Sequence, residues 1–125
     1  MRTKRILLVD DEEEVIKHLS NILERAAHKV IATTKGKEAV NLAKTAFPDL
    51  IILDIVLPDM EGGEVAAVIG EDPSTANIPI IFLSGIVLTK EDAVSGEKIG
   101  RHYVLAKPVT GEELLETIGK VFPDY

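Results

Sequence analysis

Asp10, Asp54, Ser84 and Lys107 each stand at the carboxyl end of an apolar run: ILLV, LIIL, IPIIFL and YVLA. Such runs read as buried strands of a parallel sheet, and open parallel α/β sheets bind ligands in the crevice beyond the carboxyl ends of their strands. Two carboxylates, a hydroxyl and an ammonium are therefore expected on one sheet edge, with Asp11 adding a third carboxylate. That set can hold a divalent cation and a phosphoryl group. Mg2+ prefers oxygen ligands and keeps several waters, so two carboxylates and a backbone carbonyl suit it. Asp54 ends the most central run and is the candidate nucleophile, because a carboxylate can attack phosphorus and hold an acyl phosphate. The charge on the equatorial oxygens must then be met by cations. The metal supplies one and Lys107 the other. The Ser84 hydroxyl can bond a further phosphoryl oxygen, and Gly85 leaves space for the group. Pro108 directly after Lys107 permits a cis bond. Taken singly, each residue is an ordinary cap or surface side chain; the combination carries the reading.

The elements that must position these residues alternate along the chain. Apolar strands are expected at residues 5–9, 29–33, 50–53, 80–83 and 103–106. Helical patterns fill the intervals at 13–27, 37–46, 63–70, 90–99 and 112–122. In the first helix Val15, Ile16, Leu19, Ile22 and Leu23 fall at helical spacing. Pro48 ends the second helix, and Asp72-Pro73-Ser74 the third. Gly96 weakens the fourth, and Thr110 with Glu113 opens the fifth at capping-box spacing. Strict βα alternation predicts a parallel sheet with helices on both faces, joined by right-handed crossovers.

The bulk numbers narrow the function classes. A chain of 125 residues suits one domain, 1–125, with no output domain. With 46% hydrophobic and 28% charged residues it has the composition of a globular protein. A formal net charge of −7 makes it a poor binder of nucleic acid on its own. The absence of cysteine excludes disulfides, thiolate metal sites and a cysteine nucleophile. No stretch has the length of a membrane span, and the opening MRTKRILLV is too short for a signal segment, so a cytoplasmic location is expected.

The pair Asp10-Asp11, the stretch D-I-V-L-P-D-M-E-G beginning at Asp54, Ser84-Gly85 and Lys107-Pro108 together resemble the receiver domains of two-component response regulators, and the chain is similar throughout to the chemotaxis receiver. The resemblance implies a three-layer flavodoxin-like (βα)5 fold whose five-stranded parallel sheet has the order 2-1-3-4-5. It implies that Asp54 accepts a phosphoryl group from the phosphohistidine of a sensor histidine kinase or a histidine phosphotransfer protein. Asp11 would bind Mg2+ directly and Asp10 through water, with Asp54 and the carbonyl of Val56 completing the protein ligands. Ser84 and Lys107 would hold the phosphoryl oxygens. A protein target is implied on the face of the fourth helix, fifth strand and fifth helix, with a monomer or a weak phosphorylation-dependent dimer. The only catalysis implied is of the chain's own phosphorylation and dephosphorylation.

One position departs from the family pattern. The aromatic switch residue usually three before the lysine is here Val104, while Tyr103 falls on the opposite strand face and is expected to be a packed strand residue. The positions two after Asp54 and two after Ser84, which flank the path of the attacking water, are the apolar Val56 and Ile86. Two other functions compete with this reading. A degenerate receiver acting as a phosphorylation-independent scaffold would not need the intact set of site residues. A haloacid dehalogenase-like phosphatase would carry D-x-D after its first strand, where this chain has Glu12, and would need a cap domain. His18, His28 and His102 are scattered and read as surface residues. Glu12-Glu13-Glu14 reads as the acidic first turn of a helix, and Gly62-Gly63 as a loop hinge.

Overall fold

The computed structural model describes residues 3–85, 98–99 and 102–123. Strand β1 (Arg5–Val9) leads into helix α1 (Glu13–Arg25), β2 (Lys29–Thr33), α2 (Gly36–Thr45), β3 (Leu50–Asp54), α3 (Gly62–Glu71) and β4 (Ile80–Ser84). A two-residue strand β5 (Lys98–Ile99), β6 (His102–Ala106) and α4 (Gly111–Val121) complete the order. The five long strands are parallel and lie in the sequence-predicted order, with β5 added antiparallel at the edge beyond β6.

The expected helix at 90–99 lies mostly outside the described residues, and its last two positions are strand instead. Lys98 pairs with Tyr103 and Ile99 with His102. Two residues, Gly100 and Arg101, separate Ile99 from His102 in sequence. Strand pairing therefore outweighs the helical period there.

Residues 6–9 of β1 and 50–53 of β3 are apolar without interruption because both faces of the sheet are covered there. Ile6, Leu7, Leu8 and Val9 are all fully buried, as are Leu50, Ile51, Ile52 and Leu53. Alternation along the strands divides the core in two. Ile6, Leu8, Ile52, Leu83 and Leu105 pack with Leu19 and Leu23 of α1 and with Leu114 and Ile118 of α4. Leu7, Val9, Ile51 and Leu53 pack with Ala39 and Ala43 of α2 and with Val65 and Ile69 of α3. Each buried aliphatic side chain contributes about 1.5–3 kcal/mol.

The helix ends are set by backbone conformation as much as by caps. Ala27 (φ 70°) and Phe47 (φ 50°) adopt the left-handed region just after α1 and α2, which stops each helix a residue or more before its periodicity runs out. Thr110 caps α4 by accepting the Glu113 N–H at 3.1 Å. The carboxylate of Asp59 caps α2 across the chain, accepting N–H groups from Gly36 and Lys37 at 2.8 and 3.1 Å. These bonds hold the Asp59 carboxyl below its ordinary range. Gly62 and Gly63 form the first turn of α3 rather than a loop hinge.

His28 is buried, contrary to its reading as a surface residue. Its Nδ1 accepts the Lys4 N–H at 3.0 Å and so ties the start of β1 to the α1–β2 connection. Burial first, and then the charge of Lys4, hold the imidazole below its ordinary value of 6.5. The unfolded chain takes up a proton near 6.5 while the folded chain resists it, so stability falls as pH drops below that value until the lower folded pKa is passed. The slope of one such group is at most about 1.4 kcal/mol per pH unit. Urea midpoints measured from about pH 7.5 to about 5.5, the range in which histidine titrates, should fall more steeply for the wild type than for His28→Asn. Equal slopes would exclude His28 as the source.

A second prediction concerns Gly62. A Cβ there would collide with the Asp54 carbonyl oxygen and come within 2.7 Å of Ile55 Cα, whereas one on Gly63 meets nothing within 4 Å. Gly62→Ala should cost about 1–3 kcal/mol, the usual range for overpacking. Gly63→Ala should be neutral or slightly stabilising, since alanine is the better helix former. Chemical denaturation of both variants checks the contrast.

Candidate functional site

The backbone ladders carry the polar residues to one edge. Asp10 directly follows β1, and its N–H still reaches Thr33 O at 3.2 Å. Asp54 and Ser84 are the last residues of the adjacent strands β3 and β4. Lys107 follows β6, with its N–H donated to Ser84 O at 2.8 Å, and the Lys107–Pro108 bond is cis. Asp10, Asp54 and Ser84 are almost completely buried, while Asp11 is exposed.

Lys107 lies at the centre of the cluster. Its Nζ is 2.7 Å from Asp10 Oδ2, 3.0 Å from Asp54 Oδ2 and 3.2 Å from Glu12 Oε1. Burial works against the charge of the ammonium, but its bonds to Asp10 and Asp54 outweigh that and hold it well above its ordinary value. For Asp10 the balance runs the other way. Burial pushes its carboxyl up, against the pull of the Lys107 ammonium and the Glu12 N–H, and the charge of Asp54 adds to the push.

The carboxylates are fixed by the backbone as well. Asp10 Oδ1 accepts the Glu12 N–H at 2.8 Å, and Asp54 Oδ1 accepts the Val56 N–H at 3.1 Å. Gly62 N–H donates to Ile55 O at 2.7 Å, which seats the first turn of α3 against the end of β3. Above the carboxylates opens a cleft of about 330 Å3 lined by Asp11, Glu12, Asp54, Val56, Gly85 and Lys107. Among the described residues, Val56 and Phe47 are the large apolar side chains left exposed.

The donor set fits a hard divalent cation. One oxygen from each of Asp10, Asp11, Glu12 and Asp54 can lie within 4.8 Å of the others, and all are carboxylate oxygens. Glu12 is the member that sequence reasoning missed. It was grouped with Glu13 and Glu14 as helix charge, but it sits at the cap position before α1 and makes no cap bond with its side chain. Its placement directly after the aspartate pair, on the loop that leaves the strand end, was the available signal.

The aromatic departure is also visible in the register. Ile81 pairs with Tyr103, Phe82 with Val104, Leu83 with Leu105 and Ser84 with Ala106, without a bulge. Tyr103 accordingly packs on the α1/α4 side of the sheet. Val104 is buried. Residues 86–89, including Ile86, lie outside the described residues. Of the other histidines, His102 packs edge-on against Phe82 with ring centroids 5.7 Å apart. His18 is exposed, with Nε2 3.1 Å from Val109 O.

Known proteins share this arrangement of sequence and fold. The family described as the response regulator receiver domain matches residues 6–119. Protein PilH of Pseudomonas aeruginosa is 38% identical over 120 residues, spanning 94% of this chain and 96% of that protein. The polar-differentiation response regulator DivK of Brucella ovis is 31% identical over 122 residues, or 98% of each chain. The solved structure of the chemotaxis response regulator CheY4 of Vibrio cholerae superposes with a TM-score of 0.83 at 28% identity, covering 97% of this chain and all of that one. Among the described residues no helix is long and apolar enough to cross a membrane. Receiver domains are signalling modules rather than classical enzymes, and by sequence pattern, strand order and relatives this chain belongs to the receiver-domain family of two-component response regulators.

Proposed function

We propose that the chain is a phosphoacceptor switch in which Asp54 carries the phosphoryl group. The observation that supports this most directly is the buried Asp54 carboxylate, held 3.0 Å from the Lys107 ammonium at the floor of an acidic cleft. One Asp54 oxygen attacks phosphorus of a donor phosphohistidine. The O–P bond forms, the N–P bond breaks, and its electron pair stays on the imidazole nitrogen. Lys107 and Ser84 hold the equatorial oxygens during transfer and afterwards. Asp10, Asp11, Asp54 and the carbonyl of Val56 would hold Mg2+, with Glu12 close by. The cation would supply the remaining positive charge that the transferring group requires. Hydrolysis of the acyl phosphate releases phosphate and returns Asp54 to a carboxylate.

The partners assigned by this reading are a sensor histidine kinase or a histidine phosphotransfer protein in the cytoplasm, and a protein target on the β6–α4 side. With Val104 in place of an aromatic three before Lys107 and Tyr103 packed on the other face, the response is assigned to Ser84 and the segment after it rather than to a rotating ring.

Acetyl phosphate with Mg2+ should add one phosphoryl group to the wild type by intact mass, and none to Asp54→Asn. A phosphoryl group that persists in Asp54→Asn would move the acceptor elsewhere, and no modification of the wild type would favour a phosphorylation-independent scaffold. Val56 sits exposed at the rim and has no group to orient a water. Self-dephosphorylation should therefore be slow, and Val56→Asn should speed it several-fold, within the roughly 100-fold scope of positioned polar groups in proton transfer. An unchanged decay of the phosphorylated form in that variant would exclude Val56 as a determinant.

A further inference from the structure

An ammonium has three N–H donors and no acceptor. Lys107 donates to Asp54 Oδ2 and Glu12 Oε1, and its 2.7 Å contact to Asp10 Oδ2 is an ion pair without hydrogen-bond geometry. A phosphoryl group on Asp54 needs a donor from an ammonium already crowded by three carboxylates within 3.2 Å, so one of them must give way. Asp10 is poorly suited to do so. Its side chain is 0% exposed, its contact is the shortest at 2.7 Å, and a buried carboxylate stripped of its partner is costly. The Asp54 contact lies on the group that becomes phosphorylated. The Glu12 contact is the longest at 3.2 Å, and the Glu12 side chain is 62% exposed, so water can replace the lysine there with little loss.

We propose that Glu12 is a positioning residue acting through Lys107: it occupies the ammonium donor that the phosphoryl group will use, and it swings into solvent when that group arrives. The inference rests on Asp54 as phosphoacceptor. Two observations support the latch. Glu12 occupies the N-cap position of α1 with extended dihedrals (φ −93°, ψ 112°), yet its side chain makes no cap bond and turns to Lys107 instead. There is also room for it to leave. A second cleft of about 400 Å3, lined by Glu12 and Lys107 and running toward His18 and Val109, adjoins the one above the carboxylates. Glu12 would thus set the threshold at which the site captures a phosphoryl group.

Beryllofluoride, a tetrahedral mimic of the phosphoryl group, tests this as an equilibrium measurement on the full chain at saturating Mg2+, with Mg2+ affinity titrated separately. Glu12→Gln removes the charge that competes for Lys107 and should tighten beryllofluoride binding roughly two- to fivefold, the range that an exposed ion pair supports. Its Mg2+ affinity should not rise, because a negative charge beside the cation has gone. Opposite responses of the two ligands are not expected from a general change in packing. Glu12→Asp keeps the charge, but aspartate at an N-cap bonds the N–H groups of the first helical turn and gives up the lysine, so it should also bind beryllofluoride more tightly. Equal affinity in wild type and Glu12→Gln would overturn the latch. So would tightening in Glu12→Gln with none in Glu12→Asp, since the charge rather than the contact would then be responsible. Wild type that fails to bind beryllofluoride, or Asp54→Asn that binds it, would instead overturn the phosphoacceptor assignment and this inference with it.

Discussion

The ammonium of Lys107, set among the carboxylates of Asp10, Glu12 and Asp54, is the interaction on which the arrangement of this chain turns. Carboxylates from two strand ends and the loop after the first of them are drawn within a few ångströms of each other, two of them with almost no contact with water. Such a cluster is stable only if something positive stands in its midst. The strands are built to bring that charge. Strand β6 is two places removed from β3 in the sheet, and the length of a lysine side chain spans the gap across β4. The backbone bond from Lys107 N–H to Ser84 O fixes where the stem begins.

The surroundings keep this edge in place without filling it. Gly62 brings the first turn of α3 onto the peptide after Asp54, where any side chain would intrude. Asp59 fastens the same connection to the start of α2. Ser84 is buried at the end of β4, while Gly85 next to it is exposed, and a Cβ there would make only ordinary contact with the lysine stem. The fixed parts are thus backbone and short side chains. The long side chains of Glu12 and Lys107 are the adjustable ones.

Much of this was legible in the sequence because strand and helix periods are local. ILLV, LIIL and IIFL lie among flanking turn residues, and each announces a buried strand whose last position faces the ligand edge. Thr110 with Glu113 announced the start of the last helix, and the structure has the cap bond. What was missed depends on distant contacts. Asp59 caps a helix that begins 23 residues earlier in the chain, and no local pattern encodes such a partner. His28 is buried and accepts its bond from Lys4, 24 residues away. Glu12 was hidden by its neighbours, since three successive glutamates look like one feature although the first lies outside the helix. The last two residues of the expected fourth helix pair as strand, because an open edge of β6 offers hydrogen bonds that a glycine-interrupted helical pattern does not match.

The sheet also acts as a partition. Its two faces belong to separate apolar clusters, one shared with α1 and α4 and the other with α2 and α3, and only the strand backbones are common to both. Substitutions that repack one layer have few shared neighbours with those that repack the other, so their energetic effects should add rather than couple. Each layer can drift in sequence on its own account. A lineage carrying this chain can therefore remodel the α2/α3 side for one set of contacts while the α1/α4 side, which borders the lysine, stays under its own separate selection.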